Sequence, residues 1–188
     1  MMPERLSAED CRDRFVLIVG EVNTGKTKLT GKILESFVLR YAEDVAVLDL
    51  APRLPHTSSH PAFRPDIGGR LIVPKSAFVH YFAPDLAAPR LLAASMQQRW
   101  ELAEENAERI DTLFAHMAKA HIPHVFVNDV SLYLQARPVE KLMEWLSGFS
   151  TRVVNGYYGY SLGVDAFSLK ERLRMEQLMR RCDRLVRF

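Results

Sequence analysis

Cysteine, long apolar runs and an excess of charge of either sign are all scarce in this sequence. Its 188 residues include two cysteines, Cys11 and Cys182, which lie near opposite ends and lack the close spacing of a metal-binding motif. This usage argues against a disulfide framework and against a cysteine zinc site, and it indicates reduced thiols.

No segment approaches the roughly 20 consecutive apolar residues that a membrane-spanning helix needs. Residues 1–14 carry four acids and three arginines and contain no apolar stretch. They therefore match neither a signal peptide nor a membrane anchor. We expect a cytoplasmic protein that does not insert into membranes.

Positive and negative side chains nearly cancel, since 25 lysines and arginines face 23 aspartates and glutamates, for a formal net charge of +2. Net charge alone therefore predicts no nucleic-acid-binding surface. The segment 169–188 is locally basic, which usually marks a solvated helix face. The alternative is an arginine that contacts a phosphate, and Arg90 is an equal candidate for that role. The basic residues of the segment are Lys170, Arg172, Arg174, Arg180, Arg181, Arg184 and Arg187.

Short apolar runs recur along the chain and predict a parallel sheet. The first, at 15–19, is continuous and rich in β-branched residues, which is the pattern of a strand covered on both faces. Further strands are predicted at 45–50, 78–82, 124–128, 152–155 and 185–188, with a short one at 71–73.

Amphipathic segments between these runs predict helices at 26–41, 96–119 and 139–146. Ser168 and Glu171 have the spacing of a capping box, which predicts a helix from Leu169 to about Cys182. Strands that alternate with helices indicate an α/β fold with three layers and a mostly parallel central sheet. We expect an N-terminal extension at 1–14 and one nucleotide-binding domain at 15–188. The apolar stripe of the 96–119 helix is expected to pack in the core or to form a homodimer surface.

The segment after the first strand reads Gly-Glu-Val-Asn-Thr-Gly-Lys-Thr and satisfies the pattern G-x-x-x-x-G-K-[ST] directly before a helix. Glycines let the backbone wrap closely around a phosphate, and successive N–H groups point into the concavity. The helix adds the positive end of its dipole. A chance glycine turn is the alternative. The predicted nucleotide-binding residues are Gly20, Glu21, Val22, Asn23, Thr24, Gly25, Lys26, Thr27 and Lys28.

This segment resembles the phosphate-binding loop, or Walker A motif, of P-loop nucleoside triphosphatases. The resemblance implies a nucleoside triphosphate with Mg²⁺ and a P-loop fold. Lys26 would bridge the terminal phosphates, and the Thr27 hydroxyl would be a ligand of Mg²⁺. The chain contains no Asn-Lys-x-Asp sequence, so ATP is favoured over GTP.

A P-loop site normally includes an acid at the end of a neighbouring strand. Asp49 and Asp129 both follow apolar runs and are both expected at the carboxyl edge of the sheet, where open α/β folds bind ligands. Asp129 is the first choice for the metal or the attacking water. Asp49 would then serve at the edge of the acceptor site, although either acid could instead cap a helix or turn.

Two further resemblances extend beyond the loop. The strand at 45–53, "DIGGRL" at 66–71 and "VFVND" at 125–129 are similar to the SIMIBI-class polynucleotide 5′-hydroxyl kinases. That resemblance implies phosphoryl transfer to a nucleic-acid end, but Ala51 and Arg53 replace the second acid and the glutamine of those kinases. The layout from 99 to 159 is similar to the ATP:corrinoid adenosyltransferases, which have Asp-Glu where this chain has Asn128 and Asp129.

Three other features of the sequence allow more than one interpretation. The segment 51–76 is rich in proline and is expected to be a functional or mobile loop. Within this loop, Asp66 has an Asp-x-x-Gly spacing, which favours a turn. His56 and His60 also lie there, and their pattern does not favour a zinc site. Tyr157 and Tyr158 could stack on a nucleobase, or they could simply pack a loop onto the sheet.

The leading hypothesis is an enzyme that hydrolyses ATP or transfers its γ-phosphoryl or adenosyl group to an unidentified small-molecule or macromolecular acceptor held by the proline-rich loop. In it Lys26, Asp129 and Asp49 are the catalytic candidates, and Thr27 and Asp129 hold the metal. The competing hypothesis is a nucleotide-dependent interaction protein with little turnover.

Overall fold

The computed structural model describes residues 6–52 and 69–188. The described residues form a six-stranded sheet in which every neighbouring pair is parallel, in the order β3-β2-β4-β5-β1-β6. The strands are β1 (Phe15–Gly20), β2 (Val45–Asp49), β3 (Val79–Phe82), β4 (His124–Asn128), β5 (Thr151–Tyr157) and β6 (Arg184–Arg187). The helices are α1 (Ala8–Cys11), α2 (Lys26–Tyr41), α3 (Pro89–Leu92), α4 (Met96–Met117), α5 (Ser131–Leu134), α6 (Val139–Leu146) and α7 (Ala166–Met179).

Two apolar clusters lie on opposite faces of the sheet. Along β1, Leu17 and Val19 belong to the cluster that includes residues of α4, α6 and α7, whereas Val16 and Ile18 belong to the cluster with α1 and α2. This alternation follows from the two-residue period of a strand. The predicted α/β class with helices on both faces of a central sheet is therefore confirmed, and the sheet of the described residues is wholly parallel.

The register of the sheet brings the carboxyl ends of four strands to one edge. Gly20 at the end of β1 is paired with Tyr157 of β5, and Asp49 at the end of β2 is paired with Asn128 of β4. Parallel strands necessarily end on the same edge, so residues distant in sequence become neighbours there.

Strand β5 is longer than the predicted 152–155 run because its pairing with β1 continues from Arg152 to Tyr157. It contains Gly156, where a Cβ atom would lie 2.6 Å from Met175 Cε and 3.1 Å from Val130 Cγ1. The missing side chain therefore lets α7 and the segment after β4 pack closely on the strand.

The predicted start of the last helix was wrong. Helix α7 begins at Ala166, and Asp165 is its N-cap, since a side-chain oxygen of Asp165 accepts the Ser168 N–H at 2.9 Å. Ser168 therefore lies inside the first turn, and Glu171 is buried against Arg90. An aspartate three residues earlier takes the capping role that the Ser168–Glu171 spacing indicated.

The predicted strand at 71–73 is absent from the described residues, because the Leu71 N–H donates to the Asp49 carboxylate at 2.8 Å instead of to a neighbouring strand. The short helices α1, α3 and α5 have four residues each, which is too few for periodicity to predict. None of the helices in the described ranges is long and apolar enough to cross a membrane.

The segment before β1 packs into the core. Leu6, Ala8 and Cys11 are buried with residues of α2, and Ser7 caps α1 in a reciprocal pair of hydrogen bonds with Asp10. Burial raises the pKa of the Cys11 thiol to about 12.

We expect Cys11 to resist alkylation. With a pKa of about 12, roughly 1 in 10⁴ of its thiols is ionised at pH 8, and the thiolate is the reactive form. Peptide mass spectrometry after iodoacetamide treatment should show Cys182, which is only half-buried, modified first. Equal rates at the two thiols would contradict the packing of α1.

Candidate functional site

A cavity of about 550 Å³ opens at the carboxyl edge of the sheet. Its walls come from the turn between β1 and α2, from the ends of β4 and β5, and from residues of α3 and α5. This size lies within the range of about 300–1,000 Å³ that small-ligand pockets occupy. The cavity lies where parallel α/β sheets bind ligands.

The glycine-rich segment forms a series of turns between β1 and α2, as the strand–loop–helix prediction requires. Asn23 and Gly25 both have positive φ angles, 59° and 100°. Gly25 is the N-cap of the 16-residue helix α2, and no side chain in the described part of the chain caps this end. The first turn of α2 contains no acidic residue. The helix therefore presents free N–H groups and the positive end of its dipole.

The predicted nucleotide-binding residues separate into two sets. Six of them line the cavity: Val22, Asn23, Gly25, Lys26, Thr27 and Lys28. Of the others, Gly20 packs against Phe188, where a Cβ atom on the glycine would lie 2.9 Å from the Phe188 Cβ. The Thr24 hydroxyl donates to the carbonyl oxygen of Glu21 at 2.8 Å and so stabilises the turn.

The Lys26 ammonium group lies across the turn, where Nζ donates to the Glu21 carbonyl oxygen at 2.5 Å. Burial lowers the pKa of Lys26, and the negative charges of Asp129 and Glu21 oppose that shift. A partly desolvated cation beside free helix N–H groups favours an anion in the cavity.

Glu21 is not among the residues that line the cavity, and its side chain joins the turn to the loop after β5. Its carboxylate accepts the N–H groups of Tyr160 at 2.6 Å and Ser161 at 3.3 Å, and it also accepts the Ser161 hydroxyl. A Cβ atom at Gly159 would lie 2.1 Å from the Glu21 Cδ, so a side chain there would displace the Glu21 carboxylate from these contacts. The two loops therefore hold one another in place.

A polar network connects the ends of β2, β4 and α2. The Thr27 hydroxyl donates to Asn128 Oδ1 at 3.2 Å, and Asn128 Nδ2 donates to Asp49 Oδ1 at 2.8 Å. The second oxygen of Asp49 accepts the Leu71 N–H and the Tyr81 hydroxyl at 2.8 and 2.9 Å. Asp49 is fully buried, and it therefore fixes the orientation of Asn128.

Asn155 of β5 completes the network. Its Nδ2 atom donates to Asn128 Oδ1 and to the Thr30 hydroxyl, each at 2.9 Å, and its Oδ1 atom accepts the Asp129 N–H at 3.0 Å. These bonds use the full amide group of a side chain that is 2% exposed. Asn155 therefore sets the positions of the two residues that follow one another at the end of β4.

Asp129 lines the cavity and has a left-handed backbone conformation, with φ of 60°. Its carboxylate accepts the Ser131 hydroxyl. Burial raises the pKa of Asp129, while the positive charges of Lys26 and Arg90 act in the opposite direction. Of the two predicted acids, Asp129 is thus the one that borders the cavity.

The far wall of the cavity contains ion pairs. Arg90 Nη1 lies 3.0 Å from Glu171 Oε2, and the same carboxylate oxygen accepts Gln135 Nε2 at 2.7 Å. Arg99 Nη1 lies 2.6 Å from Asp165 Oδ2. Burial raises the pKa of Glu171, and the adjacent Arg90 opposes the shift.

The tyrosines predicted as stacking candidates differ in position. Tyr157 lines the cavity, and its hydroxyl accepts the Leu162 N–H at 3.0 Å. Tyr158 packs against the core, and its hydroxyl donates to Glu176 at 2.9 Å. Tyr158 therefore has the packing role that was weighed against stacking.

The basic C-terminal segment stabilises structure around the cavity. Arg172 donates to the Gly159 carbonyl oxygen at 3.0 Å, and Arg174 donates to the Leu134 carbonyl oxygen at 2.8 Å. Arg90, rather than these arginines, lines the cavity. Asp66, His56 and His60 lie outside the described residues, as does most of the proline-rich loop.

The cavity offers few ligands to a metal ion that binds without a phosphate. No group of three His, Cys, Asp or Glu side chains suited to a metal occurs within 6–52 and 69–188. The cavity does have three oxygen donors of the kind that Mg²⁺ prefers, in the side chains of Thr27, Asn128 and Asp129. Mg²⁺ commonly uses one or two protein ligands together with phosphate oxygens. The donor set therefore fits Mg²⁺ that arrives with a polyphosphate.

No protein-family model matches the chain, and no curated protein is significantly similar to it.

Two residues that the geometry brings into the site received no functional role from the sequence. Asn155 directly follows two buried valines in β5, and a polar residue next to this apolar pair was the signal available. Gln135 lies after a helix too short to predict, so its position beside the cavity had no signal in the sequence.

Proposed function

We propose that this protein binds ATP with Mg²⁺ in the cavity and hydrolyses it or transfers its γ-phosphoryl group. The observation that carries the proposal is the uncapped N-terminus of α2, which lines the cavity together with Lys26 and Asp129. The triphosphate group of ATP matches this arrangement because it carries several adjacent negative charges.

The residues divide into roles. The N–H groups from Val22 to Lys28 and the Lys26 ammonium would hold the β- and γ-phosphates. Thr27 would hold Mg²⁺, and Asn128, whose Oδ1 accepts the Thr27 hydroxyl, would orient it. Bound Mg²⁺ would neutralise charge on the phosphate oxygens. Asp129 would orient the attacking oxygen and accept its proton, since its raised pKa brings the carboxylate closer to the range of a general base.

The P-loop assignment is part of this proposal. It is supported by the strand–turn–helix order at the motif, by the positive φ at Gly25, and by the hydrogen bond from Thr27 to the strand-end residue Asn128. Adenine is proposed rather than guanine because the sequence lacks Asn-Lys-x-Asp.

Lys26→Ala is expected to weaken binding of Mg-ATP by about 10- to 100-fold, because a charge-assisted contact to phosphate is worth about 1.5–3 kcal/mol. Isothermal titration calorimetry with Mg-ATP gives the dissociation constants. Lys32→Ala is the matched control, since Lys32 is an exposed lysine on the same helix and does not line this cavity. Unchanged affinity in the Lys26 variant would contradict the proposal.

A nucleotide-dependent interaction protein is the second candidate. The observation that favours it is Asn128, a neutral amide where a P-loop enzyme normally has an acid, because an amide holds Mg²⁺ more weakly than a carboxylate does. The two candidates differ in turnover. Steady ADP release by the purified protein supports the enzyme, and tight binding with negligible release supports the interaction protein.

A further inference from the structure

The cavity continues past Asp129 to a wall that the phosphate-binding residues do not form. Asp129 lines this cavity together with Lys26 of the proposed phosphate site and with Arg90 of the second region. We name the region the acceptor wall; it consists of Pro89, Arg90, Leu91, Leu132, Gln135 and Leu162.

The cations at this wall are already neutralised. Arg90 is paired with the buried Glu171, and Arg99, nearby in the cavity, is paired with Asp165. A second carboxylate or phosphate would have to compete with these buried and half-buried acids for the same arginines. Placing an unpaired anion in such a region is costly. The charges of these ion pairs therefore disfavour an anionic acceptor, whereas the Nε atoms of Arg90 and Arg99, which are buried and have no hydrogen-bond partner among the described residues, can donate to a neutral oxygen.

Gln135 supplies an unmet hydrogen-bond acceptor. The side chain is 2% exposed, and its Nε2 atom donates to Glu171 at 2.7 Å, which fixes the orientation of the amide. Its Oε1 atom is buried and has no hydrogen-bond partner within residues 6–52 and 69–188. A buried carbonyl oxygen without a donor is unfavourable, and an O–H group brought by a ligand would satisfy it.

The rest of the wall is apolar, since it is formed by Pro89, Leu91, Leu132 and Leu162. Such surfaces accept carbon frameworks and reject strongly hydrated groups. Charge, hydrogen bonding and apolarity thus select for the same class of molecule.

We propose that the acceptor wall binds an uncharged small molecule with at least two hydroxyl groups, one that donates to Gln135 and one that is phosphorylated beside Asp129. This inference depends on the proposed function, because it names the acceptor of the γ-phosphoryl group. The acceptor oxygen forms a bond to the γ-phosphorus while the bond from that phosphorus to the β,γ-bridging oxygen breaks. ADP leaves with the electron pair, and the hydroxyl proton passes to the Asp129 carboxylate.

Matched pairs of probes test the charge selection in the wild-type protein. The pairs are glycerol with glycerol 3-phosphate, ribose with ribose 5-phosphate, and uridine with uridine 5′-monophosphate. Saturation-transfer NMR with Mg²⁺ and a non-hydrolysable ATP analogue measures binding, and ³¹P NMR with ATP detects phosphorylated product. We expect at least one neutral probe to bind about 10-fold or more tightly than its phosphorylated partner and to be phosphorylated. Equal or tighter binding of the anions, or no binding of any neutral probe at millimolar concentration, would overturn the proposal.

Gln135→Leu tests the wall directly. Loss of one hydrogen bond should raise the KM of the neutral acceptor about 10-fold and leave the KM for ATP unchanged. Gln97→Leu is the matched control, since Gln97 is exposed on α4 and bonds only to Glu101 among the described residues. An unchanged acceptor KM in the Gln135 variant would overturn the assignment, and if this variant does not fold, the probe pairs decide the question.

Failure of the two proposals can be told apart. If wild-type protein does not bind the ATP analogue, the proposed function fails. Probe binding without nucleotide then still reports whether the wall selects neutral hydroxyl compounds. If the analogue binds and depends on Lys26 while the neutral probes do not bind, the acceptor wall alone is refuted.

Discussion

Replacing Asp129 by asparagine is expected to lower steady-state ADP release by about 10²- to 10⁴-fold, which is the range that a positioned general base contributes. Asparagine has nearly the same shape, and it keeps an oxygen for the Ser131 hydroxyl that the carboxylate accepts now. The backbone N–H of residue 129 still donates to Asn155, so the local fold is retained. What the substitution removes is the capacity to take a proton.

Affinity for ATP should move in the opposite direction. Asp129 lines the same cavity as Lys26, and its negative charge repels a triphosphate. The asparagine variant is therefore expected to bind Mg-ATP at least as tightly as the parent. Calorimetry and a coupled ADP-release assay on the same preparation separate the two effects.

Asp44→Asn is the matched control for this experiment. Asp44 immediately precedes β2, at the amino edge of the sheet, and its carboxylate contacts His80. Its replacement should leave ADP release unchanged. If Asp129→Asn retains the parental rate, the base lies elsewhere; if it loses both turnover and ATP binding, Asp129 acts in binding instead of proton transfer.

The fold could be predicted largely because its strands are short and fully buried. Every residue of β1, β2 and β4 is buried, so each strand appears in the sequence as a continuous apolar run. The same reasoning fails where a side chain offers a hydrogen bond that competes with the predicted helix cap or strand pairing. Asp165 caps α7 ahead of Ser168, and the segment after Gly69 donates to Asp49 instead of joining the sheet.

Only the part of the candidate site that is formed by contiguous residues could be predicted from the sequence. The turn at Gly25 and the lysine after it are contiguous in sequence, so a motif describes them. Asp49, Asn128 and Asn155 meet because β4 lies between β2 and β5, and that strand order depends on long-range pairing. No spacing in the sequence specifies which strand ends become neighbours. The roles of Asp49 and Asn155 therefore emerge only from the assembled sheet.

Asn155→Leu should show how strongly the site depends on that assembly. Leucine has a similar volume but can neither donate nor accept, so the Asp129 N–H loses its acceptor, and Asn128 Oδ1 and the Thr30 hydroxyl each lose a donor. The unpaired Asp129 N–H costs about 1–3 kcal/mol, whereas Asn128 and Thr30 keep their other hydrogen bonds. We expect unfolding in urea to show a loss of about 3 kcal/mol.

Turnover should also fall in this variant, by about 10- to 100-fold, because Asp129 is held in a left-handed conformation by the bond that is lost. Leu142→Ala is the control for stability alone. Leu142 is fully buried in α6 and does not line the cavity, and its truncation costs about 2–5 kcal/mol.

The two variants are thus expected to lose a comparable amount of stability. Their rates of ADP release are expected to differ when both are assayed well below their melting temperatures. A normal rate in Asn155→Leu would show that Asp129 keeps its position without the amide, and the network would then be structural only. An equal decrease in both variants would show that ADP release follows global stability. A decrease confined to Asn155→Leu is the result expected if β5 positions the carboxylate that β4 carries.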